Sequence, residues 1–488
     1  MNKYLFFALA ATQFHATAFA QGWQSISSFG SNPGNLNAYS YAPAVMPDEA
    51  PLVVVMHGCT QTATSYSNET AWNTLADFHK FYVVYAEQKT ANNASSCFNY
   101  WEPGDHSRGQ GEAKSIKQMV EYMKNNYSID SSRVFATGLS AGGAMTAVML
   151  SAYPEVFAAG AEMAGLPYKV ATTSLEVYTA ALGLVSKSPQ EWGDLVRGEY
   201  PGFTGSYPRL AIFHGTSDIV INENNAEEMM KQFTNLHGCD QTADYDNSSF
   251  NGNSVVGLKQ YFNTGGQIVV ERYTISNMAH GIAVDPGSCF EQGGDADGTA
   301  FDVDFYSSYW AAKFFGILQP PFVINGADTV NINQQGVGYS VLGNPGSAYD
   351  WQVTGGAIAS GQGTNSITVD WNQTSGTVSL TETMSGGCTL GPVELPVSAS
   401  NTTGVENANT GGEEILLNLN GKEIQYLIKS GVSENARVFI VTLSGQVIYE
   451  ENASTNKYHS LKHDLLAGMY VLKCLTRKNQ MVRKLIAG

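Results

Sequence analysis

The chain has 488 residues, 43% hydrophobic and 11% aromatic, enough for two to four packed domains. Only 14% are charged, and 43 acids against 26 bases give a net charge of −17, which excludes nucleic acid as a partner because a polyanion needs positive charge to bind. Beyond the N-terminus there is no run of about 20 apolar residues, so no membrane-spanning helix is expected.

Residues 1–20 read as a signal peptide. Lys3 supplies the positive start, Tyr4 to Ala11 is mostly apolar, and Ala18-Phe19-Ala20 fits the small-x-small cleavage rule, giving a mature start at Gln21. Thr12, Gln13 and His15 leave the apolar run too short to span a bilayer. Export makes disulfides persistent, so the six cysteines matter. Cys59 with Cys97, and Cys239 with Cys289, are each near enough in sequence to close a local loop, although spacing alone does not fix connectivity. Cys388 and Cys474 lie in different later segments and are expected to be unpaired. No Cys-x-x-Cys or His-x-x-x-His spacing occurs, so no structural zinc is expected.

From residue 21 to 318 strands alternate with helices. Pro51-Leu-Val-Val-Val-Met ends at His57-Gly58, and Phe81-Tyr-Val-Val-Tyr is a second continuous apolar run, as buried parallel strands require. Arg133-Val-Phe-Ala-Thr is followed by Gly138-Leu-Ser140-Ala-Gly142-Gly143 and a helical run from Ala144 to Tyr153. Arg209-Leu-Ala-Ile-Phe and Ile268-Val-Val-Glu-Arg-Tyr continue the series. This rhythm predicts an α/β fold with a mostly parallel sheet and helices on both faces.

Gly138-x-Ser140-x-Gly142 carries the chemistry. A strand-to-helix turn this tight needs minimal flanking side chains, and it holds the serine strained with its Oγ exposed. The helix that follows aims its first N–H groups at charge developing in the reaction. A serine needs a base and an orienting acid, which in this arrangement follow it in the order Ser, Asp/Glu, His on loops after later strands. Asp218 follows Arg209–Phe213, with Glu223 and Asp285 as rivals, and His280 follows Ile268–Thr274. His57 and His214 stand at strand ends before Gly and are expected to hold turns. For the oxyanion, the N–H of Ala141 is one donor, and the other comes from His57-Gly58-Cys59-Thr60, with Cys59 preferred and Thr60 second. A Cys59–Cys97 disulfide would preorganise this loop.

His57-Gly-Cys-Thr-Gln61, Cys97-Phe-Asn-Tyr-Trp-Glu-Pro-Gly-Asp-His-Ser-Arg-Gly-Gln-Gly-Glu112 and Gly138-Leu-Ser-Ala-Gly-Gly-Ala-Met145 resemble the polyhydroxybutyrate depolymerase family of esterases, α/β-hydrolases allied to feruloyl and acetyl xylan esterases. The resemblance extends through Trp192-Gly193-Asp194, His214 to Asp218 and His280, covering about residues 25 to 318. It implies a triad of Ser140, Asp218 and His280, and Asn99 to Trp101 near the acyl pocket. Asn99, Tyr100, Trp101 and Trp192 are the substrate-binding candidates, with Tyr168 a further aromatic, and core packing is the default alternative for any one of these aromatics. The substrate it implies is a short-chain polyhydroxyalkanoate or related polyester. Ferulate or acetate on hemicellulose is the alternative with the same chemistry. A reading of another class is a surface adhesin or glycan-binding protein with an inert hydrolase domain.

No Lys or Arg occurs between Lys313 and Lys422, and Pro320-Pro321 opens this stretch. Thr329-Val-Asn-Ile-Asn, Tyr339-Ser-Val-Leu, Trp351-Gln-Val, Ser366 to Trp371 and Thr377-Val-Ser-Leu-Thr alternate between Gly/Asn/Ser turns, which predicts a small antiparallel sandwich over 319–400. With Tyr349-Asp-Trp-Gln-Val-Thr-Gly-Gly as its core, it is similar to PKD-like immunoglobulin-type modules. Residues 401–412 read as a linker and 413–488 as a third, all-β segment with a basic end. Leu443-Ser-Gly-Gln-Val, Leu466-Ala-Gly-Met-Tyr-Val-Leu and Arg483-Lys-Leu-Ile resemble a type IX secretion C-terminal sorting domain, implying that machinery as partner and a secreted or surface-anchored product. Asp295-Ala-Asp297-Gly, with Asp302 and Asp304, is reminiscent of a calcium loop, but Tyr306 stands where the twelfth-position Glu belongs, so no metal is expected. The reaction needs no cofactor, and a monomer is expected.

Overall fold

The apolar runs become strands of one ten-stranded sheet. They are β1 (Gly22–Ser25), β2 (Asn37–Ala42), β3 (Ala50–Met56), β4 (Tyr82–Glu87), β5 (Ile129–Leu139), β6 (Ala159–Met163), β7 (Arg209–Gly215), β8 (Tyr245–Asn247), β9 (Val256–Phe262) and β10 (Ile268–Ile275), and their order is β1-β2-β4-β3-β5-β6-β7-β10-β9-β8. The run from β4 to β10 is parallel throughout. Both edges are antiparallel, β1 and β2 against β4 on one side and β9 and β8 against β10 on the other. The computed structural model describes residues 21–400 except 288, 321, 345 and 386, and segments 414–420, 423–429, 435–442, 447–462, 468–475 and 480–487. The leader at 1–20, the linker at 401–412 and the turn Leu443-Ser-Gly lie outside the described residues.

β3 is buried along its whole length because the sheet is covered on both faces. Its alternate side chains enter two cores. Leu52, Val54 and Met56 pack with helices Gly111–Asn126, Ala141–Ala152 and Asn224–Leu236. Val53 and Val55 pack with helices Ala63–Thr70, Trp72–His79 and Ser307–Phe315. Each such side chain stabilises the fold by about 1.5 to 3 kcal/mol relative to exposure. The parallel strands all point one way, so the turns after β3, β5, β7 and β10 gather at one edge. That edge carries Cys59, Ser140, Asp218 and His280.

Residues 325–400 form two facing four-stranded sheets around Tyr339, Trp351, Val369, Trp371 and Leu380. The expected alternation is present, with Tyr349 and Trp351 buried between exposed neighbours. The sandwich is not wholly antiparallel: Thr329–Asn331 runs parallel to Ser398–Ser400. These first and last strands share no hairpin, so no tight turn dictates their relative direction. Segments between 414 and 487 pair into a three-stranded and a four-stranded sheet around Ile424, Tyr426, Val438, Ile440 and Leu472.

Two disulfides are formed, Cys59–Cys97 and Cys289–Cys388. The expected Cys239–Cys289 pair is therefore replaced, and Cys388 is not unpaired. The sheet separates Cys239 from Cys289. Helix Asn224–Leu236, which leads to Cys239, packs in one core, whereas Phe290, next to Cys289, packs against the other. The loop carrying Cys289 meets the turn of the sandwich that carries Cys388, so the bridge joins the two parts of the chain.

Candidate active site

β5 ends at Leu139 and a helix starts at Ala141, leaving one residue for the turn. That residue is Ser140, at φ 55° and ψ −116°. For a non-glycine residue this geometry costs on the order of 1 to 3 kcal/mol, so the surroundings must impose it. The flanking glycines allow it. A Cβ on Gly142 would lie 2.3 Å from the Met56 carbonyl oxygen, and one on Gly138 2.3 Å from that of Gly142. The Ser140 N–H donates to the Met163 carbonyl at 2.9 Å, fixing the turn to the end of β6. The side chain heads a twelve-residue helix whose first amides face it.

Asp218 stands three residues beyond β7 and His280 five beyond β10, on adjacent parallel strands. They meet through His280 Nδ1 and Asp218 Oδ2 at 2.7 Å. Asp218 Oδ1 accepts the N–H groups of Val220 and Ile221 at 2.9 and 2.8 Å. Burial opposes ionisation of Asp218, but hydrogen bonds from His214 and His280 and the Ile221 amide hold its carboxyl well below the usual carboxylate range. Asp218 therefore stays anionic and fixes Nδ1–H on His280, turning Nε2 outward as the basic nitrogen. Glu223, a rival for this role, instead pairs with Arg272 at 3.3 Å, and Asp285 accepts from Gln292 at 3.1 Å. His214 holds the turn, as expected, with Nε2 donating to Ile221 O at 2.8 Å. It also lies 3.4 Å from Asp218 Oδ2, a contact with the acid that sequence reasoning missed.

The loop after β3 is sorted by its hydrogen bonds. The Thr60 N–H is engaged by the Ser95 carbonyl at 2.6 Å, and the Gly58 N–H by Gln61 Oε1 at 2.7 Å. Gln61 N–H reaches Gly58 O at 3.4 Å. Among the described residues nothing engages the Cys59 N–H, which favours it over Thr60 as the second oxyanion donor. The Cys59–Cys97 disulfide holds the same residue. Gln61 Nε2 donates to both Glu69 oxygens at 2.9 Å and to Thr299 Oγ1 at 3.1 Å. The Thr299 carbonyl in turn accepts the Ile282 N–H at 2.9 Å, two residues past His280. The loops bearing Cys59 and His280 are thus tied together.

The proposed substrate-binding residues divide. Trp192 is 0% exposed and donates Nε1–H to Glu228 at 2.6 Å; it is core, which corrects the expectation. Tyr100, 6% exposed, packs edge-on to Trp101 in the same core and is likewise structural, as is the fully buried Tyr168. Asn99 is half-buried and donates N–H and Nδ2–H to Glu112 at 2.8 Å each. Trp101 is half-exposed and keeps surface to offer a ligand. Glu112 itself is almost wholly buried, and burial, then the charge of Asp105, push its pKa up to about 8 despite donors from Asn99 and Gln88. Its place in the Cys97–Glu112 motif was visible in the sequence, but its role as the floor of the Cys97–Trp101 loop was not. Of the weighed acids, Asp302 and Asp304 converge with Asp285, their oxygens within 4.8 Å, while Asp295 and Asp297 lie outside the group. No role is assigned to that group.

Comparisons with known proteins show which family the chain belongs to. A family described as esterase PHB depolymerase matches residues 37–249, and a PKD-like domain matches residues 317–397. Poly(3-hydroxyalkanoate) depolymerase C of Paucimonas lemoignei is 47% identical over 320 residues, covering 65% of this chain and 76% of that protein. Feruloyl esterase B of Thermothelomyces thermophilus is 36% identical over 249 residues, covering 50% of this chain and 83% of that protein. Among solved structures, an acetyl xylan esterase from Aspergillus awamori matches at 27% identity and a TM-score of 0.49, over 53% of this chain and 94% of its own. The chain belongs to the PHB depolymerase family of esterases. It is an α/β-hydrolase and a serine carboxylic-ester hydrolase.

Proposed function

We propose that this protein is an exported esterase that hydrolyses a short-chain polyester of the 3-hydroxyalkanoate type, with Ser140, His280 and Asp218 as its triad. The observation that carries the triad is the 2.7 Å bond between His280 and the buried, anionic Asp218 at the strand edge that also bears the strained Ser140. His280 Nε2 takes the proton of Ser140 as Oγ attacks the ester carbonyl. The N–H groups of Ala141 and Cys59 hold the oxyanion, each contributing about 3 to 4 kcal/mol. Collapse expels the alcohol, protonated by His280. Water, deprotonated by the same nitrogen, then releases the acid and restores Ser140. No step uses a cofactor.

The 47% identity to a poly(3-hydroxyalkanoate) depolymerase supports the polyester over the hemicellulose reading, since the feruloyl and acetylxylan esterases are 31 to 36% identical. We further propose the division into leader 1–20, catalytic domain 21–318, PKD-like module 319–400, linker 401–412 and sorting domain 413–488. Two disulfides suit the oxidising surroundings that export by this route provides. The chain acts as a monomer. A fluorophosphonate probe tests the nucleophile directly: one adduct is expected, on the peptide containing Ser140, and its absence would favour the inert adhesin.

A further inference from the structure

The connection between β6 and β7 contains a helix, Ser174–Ala181, of sequence Ser-Leu-Glu-Val-Tyr-Thr-Ala-Ala. Leu175, Tyr178 and Leu182 fall at i, i+3 and i+7, the spacing of one apolar stripe. On a surface helix that stripe normally faces the core. Here it faces out: Leu175 is 78% exposed, Tyr178 71% and Leu182 59%, while the buried side chain of the helix is the small Ala180. Leu184, 70% exposed, extends it.

A second exposed apolar pair lies on the segment that leads into the residues holding the end of this helix. Ile219 and Val220, 91% and 53% exposed, follow Asp218 directly. The Asn222 N–H donates to the Ala181 carbonyl at 2.7 Å, and Asn225 Nδ2–H to that of Ala180 at 2.9 Å, clamping the helix end onto this loop. Val220 in turn gives its N–H to Asp218 Oδ1. Single exposed hydrophobics need no explanation, but six on two clamped segments bordering the proposed catalytic acid do. The chemistry of the patch narrows what it meets. No Lys or Arg occurs between Lys169 and Lys187 or between Arg209 and Lys231, so neither segment itself offers a cation to an anionic surface. Five of the six side chains are aliphatic and offer a sugar polymer neither a hydrogen bond nor an aromatic platform.

We infer that Leu175, Tyr178, Leu182, Leu184, Ile219 and Val220 form an adsorption surface that seats the catalytic domain on the uncharged, apolar face of a water-insoluble polyester, beside the bond to be cleaved. The inference rests on the polyester reading above and adds that recognition of the solid begins on the catalytic domain itself.

The test compares the full chain with its Leu175→Ser/Tyr178→Ser/Leu184→Ser variant. Depletion from solution by amorphous polyhydroxybutyrate particles measures adsorption. Hydrolysis of a soluble 3-hydroxybutyrate trimer measures the site, and thermal melting measures the fold. Adsorption is expected to weaken on the order of tenfold or more, with the rate on particles falling alongside and the soluble rate held within about twofold. Unchanged adsorption by a folded variant would overturn the inference. So would equal wild-type binding to phosphatidylglycerol vesicles or acetylated xylan with the same loss in the variant. If the wild type adsorbs but releases no hydroxy acid, the polyester reading fails and the adsorption result still stands. Should the triple variant not fold, Leu175→Ser and Tyr178→Ser made singly carry the same comparison.

Discussion

Asp218 and His280, 62 residues apart in the chain, are joined by a 2.7 Å bond between Oδ2 and Nδ1, because the strands that precede them are parallel neighbours. The sheet register therefore sets the tautomer of His280, the proposed base. Asp218→Asn is expected to lower kcat on a soluble ester by about 10³- to 10⁴-fold with little change in KM, since a side-chain amide presents a hydrogen where the carboxylate accepts one. Burial resists ionisation of Asp218 but its hydrogen bonds outweigh it, so the folded pKa lies below the ordinary 3.8. The stability this contributes is present above that value and disappears only as pH falls through the lower folded pKa. Steady-state kinetics of the variant, with circular dichroism to verify folding, check the first point, and an acid titration of the melting temperature the second.

The disulfide Cys59–Cys97 closes a 38-residue separation around the proposed oxyanion donor. Replacing both cysteines by Ala is expected to destabilise the fold by about 3 to 4 kcal/mol. It should also lower kcat more than it raises KM, because the Cys59 N–H acts chiefly on the transition state. Chemical unfolding and kinetics on the same variant separate the two effects. A loss of stability with kcat unchanged would show that the disulfide is not needed to hold the amide of residue 59 in place.

Glu112 carries a pH signature. Its pKa rises from 4.5 unfolded to about 8 folded, because burial disfavours its charge. A carboxyl raised on folding contributes its stability fully below the unfolded value and loses it as pH rises through the folded one. Between pH 4.5 and 8 the wild type should thus lose melting temperature relative to Glu112→Gln, levelling off above 8. Parallel pH dependences for the two proteins would contradict a raised Glu112 pKa.

Peptide mapping without reduction should recover Cys289 linked to Cys388. Cys239 is half-buried and its thiol pKa is raised, first by burial and then by Asp244 and Asp240, so alkylation at neutral pH should be slow and should accelerate in alkali. A Cys239–Cys289 peptide would show the bridge assignment to be wrong.

What the sequence made legible is what local chemistry determines. Ser140 was readable because a strand, a glycine-flanked turn and a helix are contiguous, and the glycines have no room for a Cβ. Asp218 and His280 were readable from chain order and strand ends. Trp192 and Tyr100 misled because an aromatic near a motif looks the same whether it faces a ligand or the core, and burial is decided by distant elements. Cys289 misled because sequence distance ignores the sheet standing between it and Cys239. The choice between Cys59 and Thr60 needed Ser95, whose carbonyl engages the Thr60 amide from a loop about 35 residues away. The outward stripe at Leu175, Tyr178 and Leu182 reads in sequence as an ordinary core-facing helix.

If Ser140 is the nucleophile that cleaves polyester bonds, product release must depend on it. The direct measurement incubates the mature chain and Ser140→Ala with amorphous polyhydroxybutyrate, and in parallel with feruloylated and acetylated xylan, and quantifies released acids. The expected result is 3-hydroxybutyrate from the wild type and none above background from Ser140→Ala. Ferulate or acetate release without hydroxybutyrate would contradict the polyester assignment, and hydroxybutyrate release by Ser140→Ala would contradict the nucleophile.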